Sequence, residues 1–421
     1  MVRNATALYA VRFATYVVPL VTLPYLTRVL GPESFGRLAF YQAFSFWIAL
    51  LLEYGFGLSA TREVAQLRAS PAALSRIAAE VLGSKLVLVV PVLALSLAGP
   101  RWIPSFHGGT AYLVWAVGAA VFQGFNPLWY FQGREQLQVP AALDFAGRVV
   151  AAGAIFLAVR APADGPVVLA LQAVTSAVVT VVTTALMYRD LSWRTPTLEG
   201  TRKALKAGSV LFLLRLTNNL YTTLNTLPLG LLVPFSLVGF YAAADKVVRA
   251  ALGLFGPLSQ ALFPHISHLV SEDRTRAHRL ARLSLVAMAA AGCLMAAGVI
   301  VLAPVLVRLL FGPGYEPAIP VVRILALLMP LSAANNVLGT QWMIPLGLER
   351  SFTLTVAAAG VVNVLLAWVL APSHGPAGMA VAVTSTEAFV TLAMLTILRR
   401  RGMLPFGAGA DKRATAREGG S

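Results

Sequence analysis

Ten ionisable side chains lie deep within otherwise apolar stretches of this chain, and any chemistry it performs must start from them. Six are basic (Arg12, Lys85, Arg148, Arg215, Lys246, Arg249) and four are acidic (Glu53, Asp144, Asp245, Glu387). A charge in hydrocarbon costs about 3 kcal/mol or more, so each needs a partner, a route to water or a ligand. Asp144 and Arg148 are four residues apart, as are Asp245 and Arg249; each pair can close on one helix face. Lys246 precedes Arg249 by three residues and shares its face, so both are candidates to line a polar cavity. Arg12 and Arg215 have no carboxylate near them in their own segments. Each is placed either to bind an anion or to snorkel to the nearer interface. Glu53 and Glu387 are candidates to take up a proton or Na+, since a carboxyl group removed from water binds protons more readily. The alternative for both is an ion pair with an Arg of another segment.

Other chemistries find little support. His265 and His268 are three residues apart, but no third ligand accompanies them, so no metal site is expected. The single cysteine, Cys293, excludes an internal disulfide and reads as a packing residue. No phosphate-binding glycine loop is present, so no sign of ATP hydrolysis.

The elements that carry these residues are membrane spans. Of 421 residues, 58% are hydrophobic and only 12% charged, about half the charged fraction of a typical soluble protein. Twelve continuous apolar segments are expected, at 6–30, 36–60, 74–98, 110–132, 138–160, 166–188, 207–233, 236–264, 282–307, 318–345, 351–371 and 376–398. Continuous runs exclude a strand barrel, so the backbone must close its hydrogen bonds within helices. No cleavable leader is expected; the first run is long enough to remain as a span. The net charge of +16 fits the enrichment of cytoplasmic loops in Arg and Lys and needs no nucleic acid. With the N-terminus inside, twenty-one Lys and Arg fall on cytoplasmic loops and tails against six outside, so both termini are expected in the cytoplasm. The basic, Gly- and Ala-rich end at 401–421 is expected to be a disordered tail.

A shift of 203 residues lays Arg12 over Arg215 and Gly36 over Gly239. Two same-oriented bundles are expected, 1–200 and 201–400, an arrangement that transporters use with a substrate site near the midplane. Prolines within the spans, among them Pro19, Pro24, Pro127 and Pro330, permit bending.

Ordered motifs add a family resemblance. Pro24-Tyr25-Leu26-Thr27-Arg28-Val29-Leu30-Gly31-Pro32, Phe35-Gly36, Glu53-Tyr54-Gly55-Phe56 and Ser59-Ala60-Thr61-Arg62 begin the set. Phe125-Asn126-Pro127-Leu128-Trp129-Tyr130-Phe131-Gln132-Gly133 follows, then Val238-Gly239-Phe240-Tyr241 with Ala244-Asp245-Lys246, and Phe311-Gly312 with Tyr315. Together they resemble the Wzx-type O-antigen flippases over nearly the whole chain. The resemblance implies an all-α, MATE-like fold of about twelve transmembrane helices in two six-helix bundles around a central cavity. It implies a transporter rather than an enzyme, in the bacterial inner membrane, that moves an undecaprenyl-diphosphate-linked oligosaccharide from the cytoplasmic to the periplasmic leaflet.

On that reading Arg12, Arg215, Lys246 and Arg249 hold the diphosphate, because basic residues exceed acids by two within the spans and Arg forks match phosphate oxygens. Asn126, Asn218, Asn335 and Asn336 would contact sugar hydroxyls, with interhelical hydrogen bonding as their alternative. Glu53, Asp245 and Glu387 would couple transport to H+ or Na+. No other cofactor is expected. A polysaccharide polymerase and a chain-length regulator are the candidate partners, and the chain is expected to be a monomer. Competing readings are a multidrug cation antiporter, for which a basic cavity is unsuited, and a peptidoglycan-precursor flippase. A membrane-embedded polymerase or ligase is a third, but its catalytic loop is missing from the short outside segments.

Overall fold

The computed structural model describes the backbone of residues 2–222 and 225–406. It also describes their side chains, except at 2–19, 100, 214, 217, 218, 220–222, 257 and 261. Among the described residues every regular element is a helix. Seven helical stretches among the described residues are long and apolar enough to cross a membrane. Large apolar side chains point outward along them: Leu95, Leu157, Leu294 and Val301 are each at least 72% exposed. Such a surface needs lipid around it, and the chain is a multi-pass membrane protein. Cys293 also lies on the exposed side, not in the packing position its apolar run suggested.

The chain divides into two compact units. The first comprises Met1–Asn219, Thr226–Ala242 and Phe311–Gly314; the second comprises Leu220–Asn225, Ala243–Leu310 and Tyr315–Ser421. In the first unit, α1 (Val2–Glu53) has 52 residues. A straight helix of that length would be about 78 Å long, over twice the hydrocarbon thickness of about 30 Å. It breaks at Gly31, whose φ of 69° and ψ of 173° leave the helical region. Where residues 31–35 were expected to separate the first two segments, one glycine suffices, because without a Cβ it adopts positive φ at little cost.

The second apolar segment does not run on to residue 60 as one helix. It stops at Glu53, and α2 (Phe56–Gln66) starts afresh. The break is held by stacking of Tyr54, itself at φ 51°, on Phe212, with centroids 4.6 Å apart. Next, α3 (Pro71–Trp102) is capped by Ser70, whose hydroxyl accepts from the Ala73 amide at 3.3 Å. Between α4 (Thr110–Phe125) and α5 (Leu128–Gly133), Pro127 lacks an amide hydrogen and drives Asn126 out of the helical region, to ψ 129°. α6 (Gln138–Ala158) and α7 (Gly165–Asp190) complete the early helices; α1 packs along α4 and α6, and α4 along α7. Phe56, Val64, Ile77, Trp129 and Met187 form a core under α2 and α3.

The middle of the chain holds α8 (Leu198–Thr222), α9 (Thr226–Leu232), α10 (Phe235–Gly253) and α11 (Phe255–Glu272). Then come α12 (Arg274–Phe311), α13 (Ala318–Ala326), α14 (Leu328–Asn335), a π-helical stretch at Asn336–Met343 and α15 (Glu349–Arg400). Gly375, at φ 56°, breaks α15 as Gly31 breaks α1. Ile266, Met288, Trp342, Val390 and Met394 form the core of the second unit.

The two glycines matched by the 203-residue shift touch. A Cβ on Gly36 would fall on the Phe235 carbonyl, and one on Gly239 would fall on the Pro32 carbonyl. Backbone leaves no room to yield. Gly36→Val should therefore lower the melting temperature of the detergent-solubilised protein, by a cost of about 3 kcal/mol or more for a clash with rigid backbone. Gly153→Ala, in open space on α6, should leave it unchanged or gain up to about 1 kcal/mol in helix propensity.

Candidate functional site

Each unit gathers polar groups where its helices are irregular. In the first, Glu53 is the last residue of α1, at the break before α2. Arg215 of α8 reaches it across 162 positions of sequence, and Nη1 donates to Oε1 at 2.5 Å. Asn219, one turn on from Arg215, donates to the Arg215 carbonyl at 2.8 Å. Gly55 and Gly208 let α2 and α8 approach closely, since a Cβ on Gly55 would strike the Gly208 carbonyl. The ion pair is thus held by two chains drawn together at a helix break. Both side chains keep about a third of their surface exposed, 32% for Arg215 and 36% for Glu53, so each remains open to exchange with a ligand. Glu53, weighed as an ion-coupling acid or as half of an ion pair, forms the pair.

Asp144 and Arg148 close as their spacing predicts, at 2.8 Å. In the second unit Asp245 and Arg249 do the same at 2.6 Å, with both side chains more buried. Lys246, between them on α10, also makes an interaction of its own.

The richest polar cluster of the second unit surrounds Glu387 on α15. Asn335 donates through Nδ2 to Glu387 Oε2 at 2.5 Å and to its backbone carbonyl at 3.1 Å. Ser332 adds a hydrogen bond, and Arg249 lies close enough to act electrostatically. Thr391 donates to Asn335 Oδ1 at 2.7 Å, fixing the amide so that its NH2 faces the carboxyl. The neighbouring amide, Asn336, opens the π-helical stretch; it accepts from Ser259 at 2.6 Å and from Gln341 at 3.0 Å. A π turn adds one residue per turn and re-aims the side chains beyond it, which is how two adjacent amides come to serve two separate networks. No periodicity signalled that turn in the sequence.

Not every predicted residue is brought in. The side chains of Arg12 and Asn218 lie outside the described residues. Asn126 sits at the α4–α5 break with its Oδ1 buried and without a hydrogen bond. Its neighbours in the motif serve packing: Thr61 donates to the Trp129 carbonyl at 3.2 Å. Arg134 bonds the Tyr130 hydroxyl and Asp190, both at 2.8 Å.

The distribution of charge was not visible before the units were known. The first unit holds Arg12, Lys85, Arg148 and Arg215 against Glu53 and Asp144, whereas in the second Lys246 and Arg249 face Asp245 and Glu387. Among these ten residues the basic surplus therefore resides in the first unit. With Arg148 and Arg215 paired to its two acids, Lys85 remains, together with Arg12, whose side chain lies outside the described residues.

Known proteins agree with this architecture. A protein of Escherichia coli strain K12, provisionally named an O-antigen transporter, is 30% identical over 405 residues, covering 96% of this chain and 97% of its own length. One from Shigella dysenteriae with the same provisional name is 27% identical over 408 residues, 95% of this chain and all of that protein. Among solved structures, the lipid II flippase MurJ in an inward closed conformation superposes with a TM-score of 0.71 at 13% identity, covering 95% of this chain and 88% of MurJ. An inward-facing multidrug resistance MATE transporter of the MOP superfamily gives 0.66 at 13% identity, over 91% of this chain and 94% of that one. At these identities the structures establish the shared fold, which is the MATE-like one expected from the motifs. Residues 1–270 match the family described as polysaccharide biosynthesis protein, and to that family the chain belongs.

Proposed function

We propose that this protein is a transporter that flips a polyprenyl-diphosphate-linked oligosaccharide, an O-antigen or related repeat unit, from the cytoplasmic to the periplasmic leaflet of the bacterial inner membrane. The observation that carries this reading is the basic surplus among the ten deeply placed charges, which lies in the first unit. A diphosphate leaving water needs fixed positive charge to offset its desolvation. A cation antiporter on the same fold would need the opposite balance. The names of the two sequence relatives support the substrate class.

Arg215, with Arg12, Lys246 and Arg249, is proposed to hold the diphosphate; Asn126, Asn218, Asn335 and Asn336 are proposed to meet the glycan. The pair of Arg215 with Glu53 suggests how binding is coupled to an ion. A phosphate that takes the Arg215 fork leaves Glu53 without its cation, and Glu53 then takes up a proton or Na+. Binding and uptake are linked because both compete with one ion pair, and the linkage shifts the conformational equilibrium only through differential affinity for its two states. Glu387, held by Asn335, and Asp245 are the second candidates for such uptake. Polysaccharide polymerase and chain-length regulator would act on the product.

The test is complementation of an O-antigen-flippase-null bacterium, scored by surface polysaccharide at matched expression. Wild type should restore it and Arg215→Ala should fall to background, because the substitution removes both the partner of Glu53 and the proposed phosphate contact. Arg417→Ala, in the basic tail, should match wild type. Equal rescue by Arg215→Ala would remove the site. Glu53→Gln separates the two roles of the pair: vesicle transport should lose its dependence on the ion gradient while diphosphate binding is kept or tightened. Membrane-impermeant thiol labelling in a Cys293→Ser background checks the orientation. Cysteine at Arg417 should react only from the cytoplasmic side, and cysteine at Gly108 only from the periplasmic side.

A further inference from the structure

Of the two surplus cations in the first unit, Lys85 has a setting of its own. It lies midway along α3 and is only 2% exposed. With Ala78, Leu82 and Val89 it forms a stripe at helical spacing that lines one side of a cavity of about 630 Å³. The stripe runs about 16 Å along the helix. Phe125 and Trp129 wall the cavity, and Tyr188 and Trp193 stand near the end of α7. Trp193 is 63% exposed and Val181, also on the wall, 61%. The space therefore opens to the lipid-facing surface of the unit, with the ammonium at its buried side.

Among the described residues, no hydrogen bond or ion pair reaches the Lys85 ammonium. Its nearest aromatic face is Phe125, with Nζ 6.0 Å from the ring centroid. Glu53 acts on it through space, but Glu53 Oε1 is already bonded to Arg215. Two cations thus share one acid, and the shortfall lies in an apolar cavity. The walls are mostly apolar; the Thr180 hydroxyl is spent on the Phe122 carbonyl at 2.8 Å, and the other donors on the lining are neutral, the hydroxyls of Thr184 and Tyr188 and the indoles of Trp129 and Trp193. A free inorganic anion would leave water for one ammonium and a few neutral donors, whereas an anion attached to an apolar chain would also bury that chain against the aromatic walls.

We propose that this groove binds an anionic amphiphile, a phosphate group carried on an acyl or prenyl chain, with Lys85 as its anchoring cation. The site is set apart from Arg215 by its lateral opening and its apolar walls, and it does not depend on what the protein transports. Two sources share this chemistry: an anionic phospholipid of the bilayer and a polyprenyl phosphate.

The experiment is tryptophan quenching of the purified full-length protein in neutral detergent by chain-brominated lipids. Trp193→Phe identifies the share of the signal that comes from the groove. Brominated phosphatidic acid should quench that share at about tenfold lower concentration than brominated phosphatidylcholine. That preference should persist in Lys85→Arg and vanish in Lys85→Met. Thr184→Phe, which fills the cavity without touching the charge, should remove groove quenching by both lipids and keeps the test open if Lys85→Met does not fold. Equal quenching by the two lipids in wild type, or an undiminished preference in a folded Lys85→Met or Thr184→Phe protein, would overturn the proposal. Displacement of the brominated lipid by inorganic phosphate as readily as by a lipid phosphate would also overturn it. Stronger displacement by undecaprenyl phosphate than by unbrominated phosphatidic acid assigns the groove to a prenyl chain. The reverse order assigns it to the bilayer, and displacement by neither is a third refutation.

Discussion

A charge surrounded by hydrocarbon must be answered, and this constraint runs through the whole structure. Arg215 answers Glu53, Arg249 answers Asp245, and Arg148 answers Asp144. Glu387 is answered differently, by the amide of Asn335 and the hydroxyl of Ser332. The polar groups collect where the backbone itself departs from a regular helix: Glu53 at the end of α1, Asn126 between α4 and α5, Asn335 and Asn336 at the entry to the π-helical stretch. The two go together because a broken helix frees carbonyls and amides that lipid cannot satisfy, so irregular backbone survives only beside polar partners.

Several glycines that carry the family resemblance are residues of close approach. Gly36 meets Gly239, Gly55 meets Gly208, and Gly133 lies against Thr61 and Val64. Gly312, at φ 86°, lies against the Arg28 side chain. Such positions constrain how helices cross and are indifferent to what is transported. This explains how motif order can report a fold faithfully while leaving the glycan unnamed. It also fits a fold shared with MurJ at only 13% identity.

Much of this was legible in the sequence, and the division between legible and hidden is physical. Membrane class follows from composition, and the pairs Asp144–Arg148 and Asp245–Arg249 follow from helical spacing, because both are local. The Glu53–Arg215 pair is separated by 162 positions, so sequence could only set it beside other choices. The face of Lys85 was hidden because α3 is apolar on all sides and carries no stripe to orient it. Breaks were overlooked for a related reason: residues 36–60 read as one run since neither Tyr54 nor Gly55 interrupts hydrophobicity, whereas the break depends on the ring of Phe212 and the backbone of Gly208.

The break at Gly31 turns one span into the next through a single residue outside the helical region. A joint of that kind offers no loop. An epitope tag, a protease site or a fused reporter placed there would have to be threaded into helix on both sides, and mapping methods that rely on tolerated insertions should fail at it. The junction of α2 with α3, where residues 67–70 leave the helix, is the nearby place for such a probe. The two ends of the same hairpin therefore differ sharply as sites for engineering: one accepts added sequence and the other does not.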